Sequence, residues 1–124
     1  TLAGLCEPTD TTIGPDATLN EASDKFAETG TRYLYVVGAN GCLLGALSIH
    51  AVQRALREQP GADLFALCER DFPTLTPESH LPDALQLFTH HALNRIPVIR
   101  DIAGRELMGT VSKRRVLQEA SGLF

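Results

Sequence analysis

Two stretches of this chain are written almost alike: Leu44-Gly45-Ala46-Leu47-Ser48-Ile49-His50-Ala51-Val52 and Met108-Gly109-Thr110-Val111-Ser112-Lys113-Arg114-Arg115-Val116. In each, a glycine opens a short apolar run that ends in serine, and three residues later the pattern changes to helical spacing. Each therefore predicts a strand running into a helix. The repetition extends outward. At an offset of 62 residues Leu2 matches Leu64, Leu5 matches Leu67, Cys6 matches Cys68, Glu7 matches Glu69, Thr12 matches Thr74, Pro15 matches Pro77, Leu19 matches Leu81, Ala22 matches Ala84, Phe26 matches Phe88 and Val36 matches Val98. Beyond the mid-repeat loop the offset becomes 64, so the second copy carries two extra residues there. Duplication constrains the fold more than any single motif, because whatever one copy forms the other must form again. At 124 residues, each half is marginal alone and the two together make one ordinary core. The expected division is 1–58 for the first repeat, 59–63 for a connector and 64–124 for the second.

Within a copy, Leu2 and Leu5 predict a short helical turn ended by Pro8 and Asp10, and Thr11-Thr12-Ile13 a very short strand ending at Gly14-Pro15. Thr18-Leu19-Asn20-Glu21 has the form of a capping box, and Leu19, Ala22 and Phe26 give the following helix one buried stripe that Gly30 terminates. Tyr33 to Val37 and Leu43 to Ser48 read as strands joined through Asn40-Gly41, a strong hairpin signal. Val52, Ala55 and Leu56 mark a helix over about 49–58. The second copy retraces this path: a turn at Leu64 to Glu69, a short strand at Thr74-Leu75, and a helix carrying Leu81, Ala84, Leu85, Phe88 and Ala92, with Pro82 in its first turn. A hairpin of Ile96 to Ile99 with Leu107 to Ser112 and a last helix bearing Val116, Leu117 and Ala120 complete it. Pro97 lacks a backbone donor and is expected at a sheet edge or a strand start. The fold class is thus α+β, two βαββα repeats.

Several functions are disfavoured. A formal net charge of −4 argues against a general nucleic-acid binder, which needs basic surface to displace counterions from phosphates. No segment has the length and composition of a membrane span. The chain starts at a threonine and has no signal-peptide pattern, and is expected to be cut from something longer. Cys6, Cys42 and Cys68 cannot all pair and lack metal-ligand spacing, which points to a reducing compartment. The equivalence of Cys6 and Cys68 raises a bond across a pseudo-twofold axis, although buried cysteine more commonly serves as a small hydrophobe. His50, His80, His90 and His91 have no partner spacing, the carboxylates are scattered, and neither a glycine-rich phosphate loop nor a nucleophile elbow is present. No catalytic or metal-ligating residues are assigned.

The order of short strand, proline, helix, Asn94-Arg95-Ile96-Pro97-Val98 strand and Gly-x-x-Ser strand, written twice over essentially the whole chain, resembles the CBS domain. That resemblance implies two repeats packed by pseudo-twofold symmetry into one Bateman module. It further implies two related clefts for adenosine derivatives (AMP, ADP, ATP or S-adenosylmethionine) and a homodimer of modules. Tyr33-Leu34-Tyr35-Val36-Val37 with Gly45-Ala46-Leu47-Ser48, and Arg70-Asp71-Phe72-Pro73-Thr74-Leu75 with Val111-Ser112-Lys113, look most like the cytoplasmic tail of bacterial ClC-type chloride channels or transporters. This narrower likeness implies a covalently attached membrane domain, a cytoplasmic location and a regulatory role. Alternatives are a structural dimerisation module without a nucleotide, or a regulatory module of another transporter or enzyme.

Carried onto this sequence, the family's cleft falls on the short strands at Thr12, Ile13, Thr74 and Leu75, on apolar walls at Leu34, Tyr35, Ile96 and Pro97, and on the hydroxyls of Ser48 and Ser112. The family's aspartate, which accepts hydrogen bonds from ribose hydroxyls, is replaced by Ala51 and Arg115. Losing that acceptor costs about 1–3 kcal/mol, or roughly 10- to 100-fold in affinity. Ser112-Lys113-Arg114-Arg115 opens a predicted helix, which leaves two readings: a site for a phosphate or polyphosphate tail, or a solvated charged turn. Tyr35 has two as well, a stacking face for a base or strand core.

Overall fold

In the computed structural model, which describes residues 1–122, the first repeat follows the predicted order: β1 (Thr12–Ile13), α1 (Leu19–Thr29), β2 (Tyr33–Val37), β3 (Leu43–Ser48) and α2 (Ile49–Glu58). The second repeat supplies α3 (Leu81–His90), β4 (Arg95–Ile99), β5 (Leu107–Ser112) and α4 (Lys113–Ser121). Leu123 and Phe124, the end of the expected second repeat, lie outside the described residues. The sequence signals act where they stand. The Glu21 N–H donates to Thr18 Oγ1 at 3.1 Å, the Thr18 N–H donates back to Glu21 Oε1 at 3.4 Å, and Gly30 closes α1 with a left-handed φ of 67°. In the second repeat the capping hydroxyl is absent and only the other half of the box is kept, the Asp83 carboxylate accepting the His80 N–H at 2.8 Å; α3 ends at His90, so Ala92 of the expected stripe lies beyond it.

Both hairpins share one register. β2 and β3 pair antiparallel from Tyr33 with Ser48 to Val36 with Gly45, then shift so that Val37 faces Leu43; β4 and β5 pair from Arg95 with Ser112 to Val98 with Gly109, then shift so that Ile99 faces Leu107. The same bulge therefore recurs just before the glycine, at Leu44 and at Met108. The two extra residues fall in the connection, 38–42 in the first hairpin and 100–106 in the second. Asn40 takes the left-handed φ (64°) that its Asn-Gly turn calls for.

The two short strands differ. β1 runs parallel to β2 over two residues, and the Tyr35 N–H donates to Thr11 O at 2.9 Å. At the matching place the second repeat has Pro97, with no N–H to give. There the expected Thr74-Leu75 strand shrinks to a one-residue bridge between Leu75 and Val98, held by Leu75 N–H to Pro97 O (3.0 Å) and Ile99 N–H to Leu75 O (2.8 Å). Pro97 sits in the middle of β4 rather than at its start, on the side that meets only this bridge.

Two compact units result, and their bounds differ from those of the repeats. Asp10–Phe72 forms one; Thr1–Thr9 joins Pro73 onward in the other. In the first unit Leu19, Ala22 and Phe26 of α1 pack with Leu34, Val36, Leu47, Val52, Ala55 and with Leu64 from the 3-10 turn Leu64–Leu67. In the other, Leu2 is fully buried with Phe88, Ile96, Val98, Val111 and Val116 also in the core. The leading segment of each repeat thus belongs to the other repeat's sheet. Glu69 exchanges both backbone bonds with Ala46 of β3 (2.9 and 2.8 Å), and Glu7 does the same with Thr110 of β5 (2.8 Å each).

Candidate functional site

The motif glycines and serines have structural work that their position explains. A Cβ on Gly45 would meet Cys68 Sγ and, at 2.5 Å, the Glu69 carbonyl oxygen; one on Gly109 would meet the Glu7 carbonyl and approach Cys6 Sγ to 3.0 Å. Only glycine lets the bridging segment lie against the strand. Ser48 and Ser112 end their strands as helix N-caps, accepting the Ala51 and Arg115 N–H groups at 3.1 Å. The first N–H of each helix is also engaged, Ile49 N–H with Arg32 O (2.9 Å) and Lys113 N–H with Asn94 O (2.8 Å). Two of the first three amides of α4 are therefore already bonded, and side chains rather than the helix end must supply any attraction for an anion.

Those side chains gather at one cleft. An open cavity of about 590 Å³ is lined by Asn94, Arg95, Ser112, Lys113, Arg114, Leu117, Gln118 and Ser121. Its size is that of an ordinary small-molecule site. The start of β4 provides Asn94 and Arg95, the end of β5 provides Ser112, and α4 provides Lys113 with a stripe at 114, 117, 118 and 121, the i, i+3, i+4, i+7 spacing of one helix face. Arg95 is steadied by donating from Nη1 to Thr110 Oγ1 at 3.3 Å. Among the described residues, three cations line the cleft and no carboxylate does.

Of the residues named from the sequence, Ser112 and Lys113 line this cleft, and so does Arg114 of the same basic run. Arg115 does not: its guanidinium turns to Glu7, with Nη1 3.6 Å from Oε1. Thr12 and Ile13 lie in β1, and Thr74 and Leu75 at the bridge. Leu34 and Ile96 are fully buried and Pro97 is buried. Tyr35 is 4% exposed, its ring edge-on to Phe72 with centroids 6.4 Å apart, which is the strand-core reading. Ser48 and Ala51 stand at the start of α2. Asn94, Arg95, Leu117, Gln118 and Ser121 were missed; the helical spacing of 114, 117, 118 and 121 is the signal that could have found most of them.

Elsewhere, Cys6, Cys42 and Cys68 are free thiols. Burial pushes the Cys6 thiol up, helped by the Glu7 carboxylate. Burial pushes Cys68 up as well, with Arg70 pulling the other way and Glu69 adding to the rise. Among the described residues no group of three or more His, Cys, Asp or Glu side chains fits a metal ion, and no helix is long and apolar enough to cross a membrane.

Comparison with known proteins adds the family. Residues 6–58 and 63–122 each match the CBS domain. Over 98% of its length the chain has the fold of Staphylococcus aureus OpuCA, with a TM-score of 0.79, 23% identity and 99% of that chain covered. It also shares the fold of CBSX2 from Arabidopsis thaliana, solved in complex with AMP, at a TM-score of 0.77 and 20% identity over 99% of this chain and 97% of that one. An A-adding tRNA nucleotidyltransferase of Aquifex aeolicus is 26% identical over 100 residues, 81% of this chain but 12% of that protein.

Proposed function

Because this chain belongs to the CBS domain family, of which it carries two repeats, we propose that it is a regulatory CBS-pair module that binds an adenosine nucleotide (AMP, ADP or ATP) and passes the bound state to an attached partner. The observation that carries this reading is the cation-lined cleft beside the Gly109-Thr110-Val111-Ser112 segment, with Arg95, Lys113 and Arg114 on its walls. The AMP held by CBSX2 supports the ligand class. Regulation follows by linkage: a nucleotide that prefers one conformation biases whatever is joined to the module by the difference in its affinities.

The finer reading is a homodimeric module on the cytoplasmic side of a ClC-type chloride channel or transporter, supported by the wording of the Arg70 to Leu75 and Tyr33 to Val37 stretches. Free thiols at Cys6, Cys42 and Cys68 fit a reducing compartment. Membrane helices encoded ahead of this chain in the complete gene would support the channel context; a different attached domain would remove it. A second reading, a dimerisation scaffold without a nucleotide, is favoured by Ala51 and Arg115, which leave neither helix start a carboxylate for ribose.

Thermal unfolding with AMP, ADP and ATP at about 1 mM separates the two. A ligand at 100 times its dissociation constant adds about 2.7 kcal/mol and raises the midpoint by several degrees. A shift with any of the three supports sensing, and no shift with all three favours the scaffold.

A further inference from the structure

We infer that the cleft at the start of α4 recognises the phosphate end of its ligand and is nearly blind to the nucleoside, so that it reads phosphate number rather than base. This rests on the nucleotide reading above and narrows it. Phosphate oxygens are hydrogen-bond acceptors carrying negative charge, and the cleft offers them Arg95, Lys113 and Arg114 as charged donors, with Asn94 and Gln118 as neutral ones. What a nucleoside needs is largely missing. A ribose diol donates two hydrogen bonds and calls for a carboxylate, and among the described residues the lining has none; a base calls for an aromatic or broad apolar wall, and among the described residues the lining has one apolar side chain, Leu117. The Glu7 carboxylate is held on Arg115. Repetition isolates the feature further: the positions matching Arg95, Lys113 and Arg114 in the first repeat are Tyr33, Ile49 and His50.

The test is isothermal titration of the whole chain at low salt, in metal-free buffer, with inorganic tripolyphosphate, ATP, AMP and adenosine, repeated on the Lys113→Ala/Arg114→Ala double variant. Both residues are exposed, so the variant should keep the parent's circular dichroism and melting temperature. Tripolyphosphate and ATP should bind within about threefold of each other, AMP at least about tenfold more weakly, and adenosine without measurable heat. Removing two charge-assisted contacts should weaken tripolyphosphate by about 30-fold or more. Adenosine or AMP binding as tightly as ATP, with tripolyphosphate silent, would overturn phosphate-end recognition while leaving nucleotide sensing intact. Binding of none of the four would overturn both. Tripolyphosphate affinity unchanged in the double variant would overturn the assignment of these residues.

Discussion

Replacing Gly45 by alanine tests how the two sequence copies are stitched into compact units. The added Cβ would stand 2.5 Å from the Glu69 carbonyl oxygen and also meet Cys68 Sγ. A thiol can rotate away, but Glu69 O is backbone, fixed by its bond to the Ala46 N–H at 2.9 Å. Two routes remain. If the segment stays, the overpacked site costs about 1–3 kcal/mol. If it lifts off, two backbone hydrogen bonds go with it at about 1 kcal/mol each, together with part of the burial of Leu64 beside them. The cheaper route sets the loss, about 1–3 kcal/mol, and at about 4 °C per kcal/mol for a chain of this size the midpoint should fall by about 4–12 °C. Gly61 is the control, since a Cβ there meets nothing within 4 Å, and Gly61→Ala should melt within about 2 °C of the parent. Hydrogen exchange on Gly45→Ala should show the Ala46 and Glu69 amides losing protection. A variant that melts like the parent with both amides still protected would refute the close approach.

Other expectations follow from single contacts. Thr18→Ala removes one half of the α1 capping box and should cost about 1 kcal/mol, read as a shift in the urea midpoint with an unchanged slope. Ser112→Ala should cost a similar amount through the loss of the Arg115 N–H acceptor; a neutral result would mean that the serine does not cap α4. Phe72→Ala takes away the ring that packs on Tyr33 at 5.0 Å and on Tyr35, in a buried position, and should destabilise by about 3 kcal/mol. The raised Cys6 and Cys68 thiols give a pH effect whose sign is fixed. Below the unfolded thiol value of about 8.5 both states are protonated and stability is full; as pH rises past it the unfolded chain ionises first, and stability falls through the folded values. Melting at pH 7 and pH 9.5 should show that loss, and the Cys6→Ala/Cys68→Ala variant should lose less over the same interval.

The local grammar of this fold was legible in the chain. Thr18 with Glu21, Asn40-Gly41 and the apolar stripe of Leu19, Ala22 and Phe26 each act over a few residues, so their signals survive without tertiary context. The position of the two-residue insertion was legible too, because the offset changes there. What was not legible involves distant partners. Nothing in the period of residues 1–9 or 64–72 says which sheet they will bridge, although Gly45 and Gly109 mark where backbone must come close. The shortening of the second parallel strand depends on a donor missing from Pro97 at a partner more than twenty residues away in sequence. At the site, the basic run at 113–115 was visible but its division was not. Lys113 and Arg114 face the cleft, while Arg115 is drawn to Glu7, more than a hundred residues earlier in the chain.

If the proposed function holds, nucleotide meets this module at the start of α4 in the second repeat. Backbone amide shifts of the whole chain titrated with ATP test it most directly, since the position of every perturbed residue is read at once. Saturable shifts should concentrate at Asn94, Arg95, Lys113 and Arg114, with small ones at Thr12, Tyr35 and Ala51. Saturable shifts centred on the first repeat, or none at millimolar ATP, would contradict it.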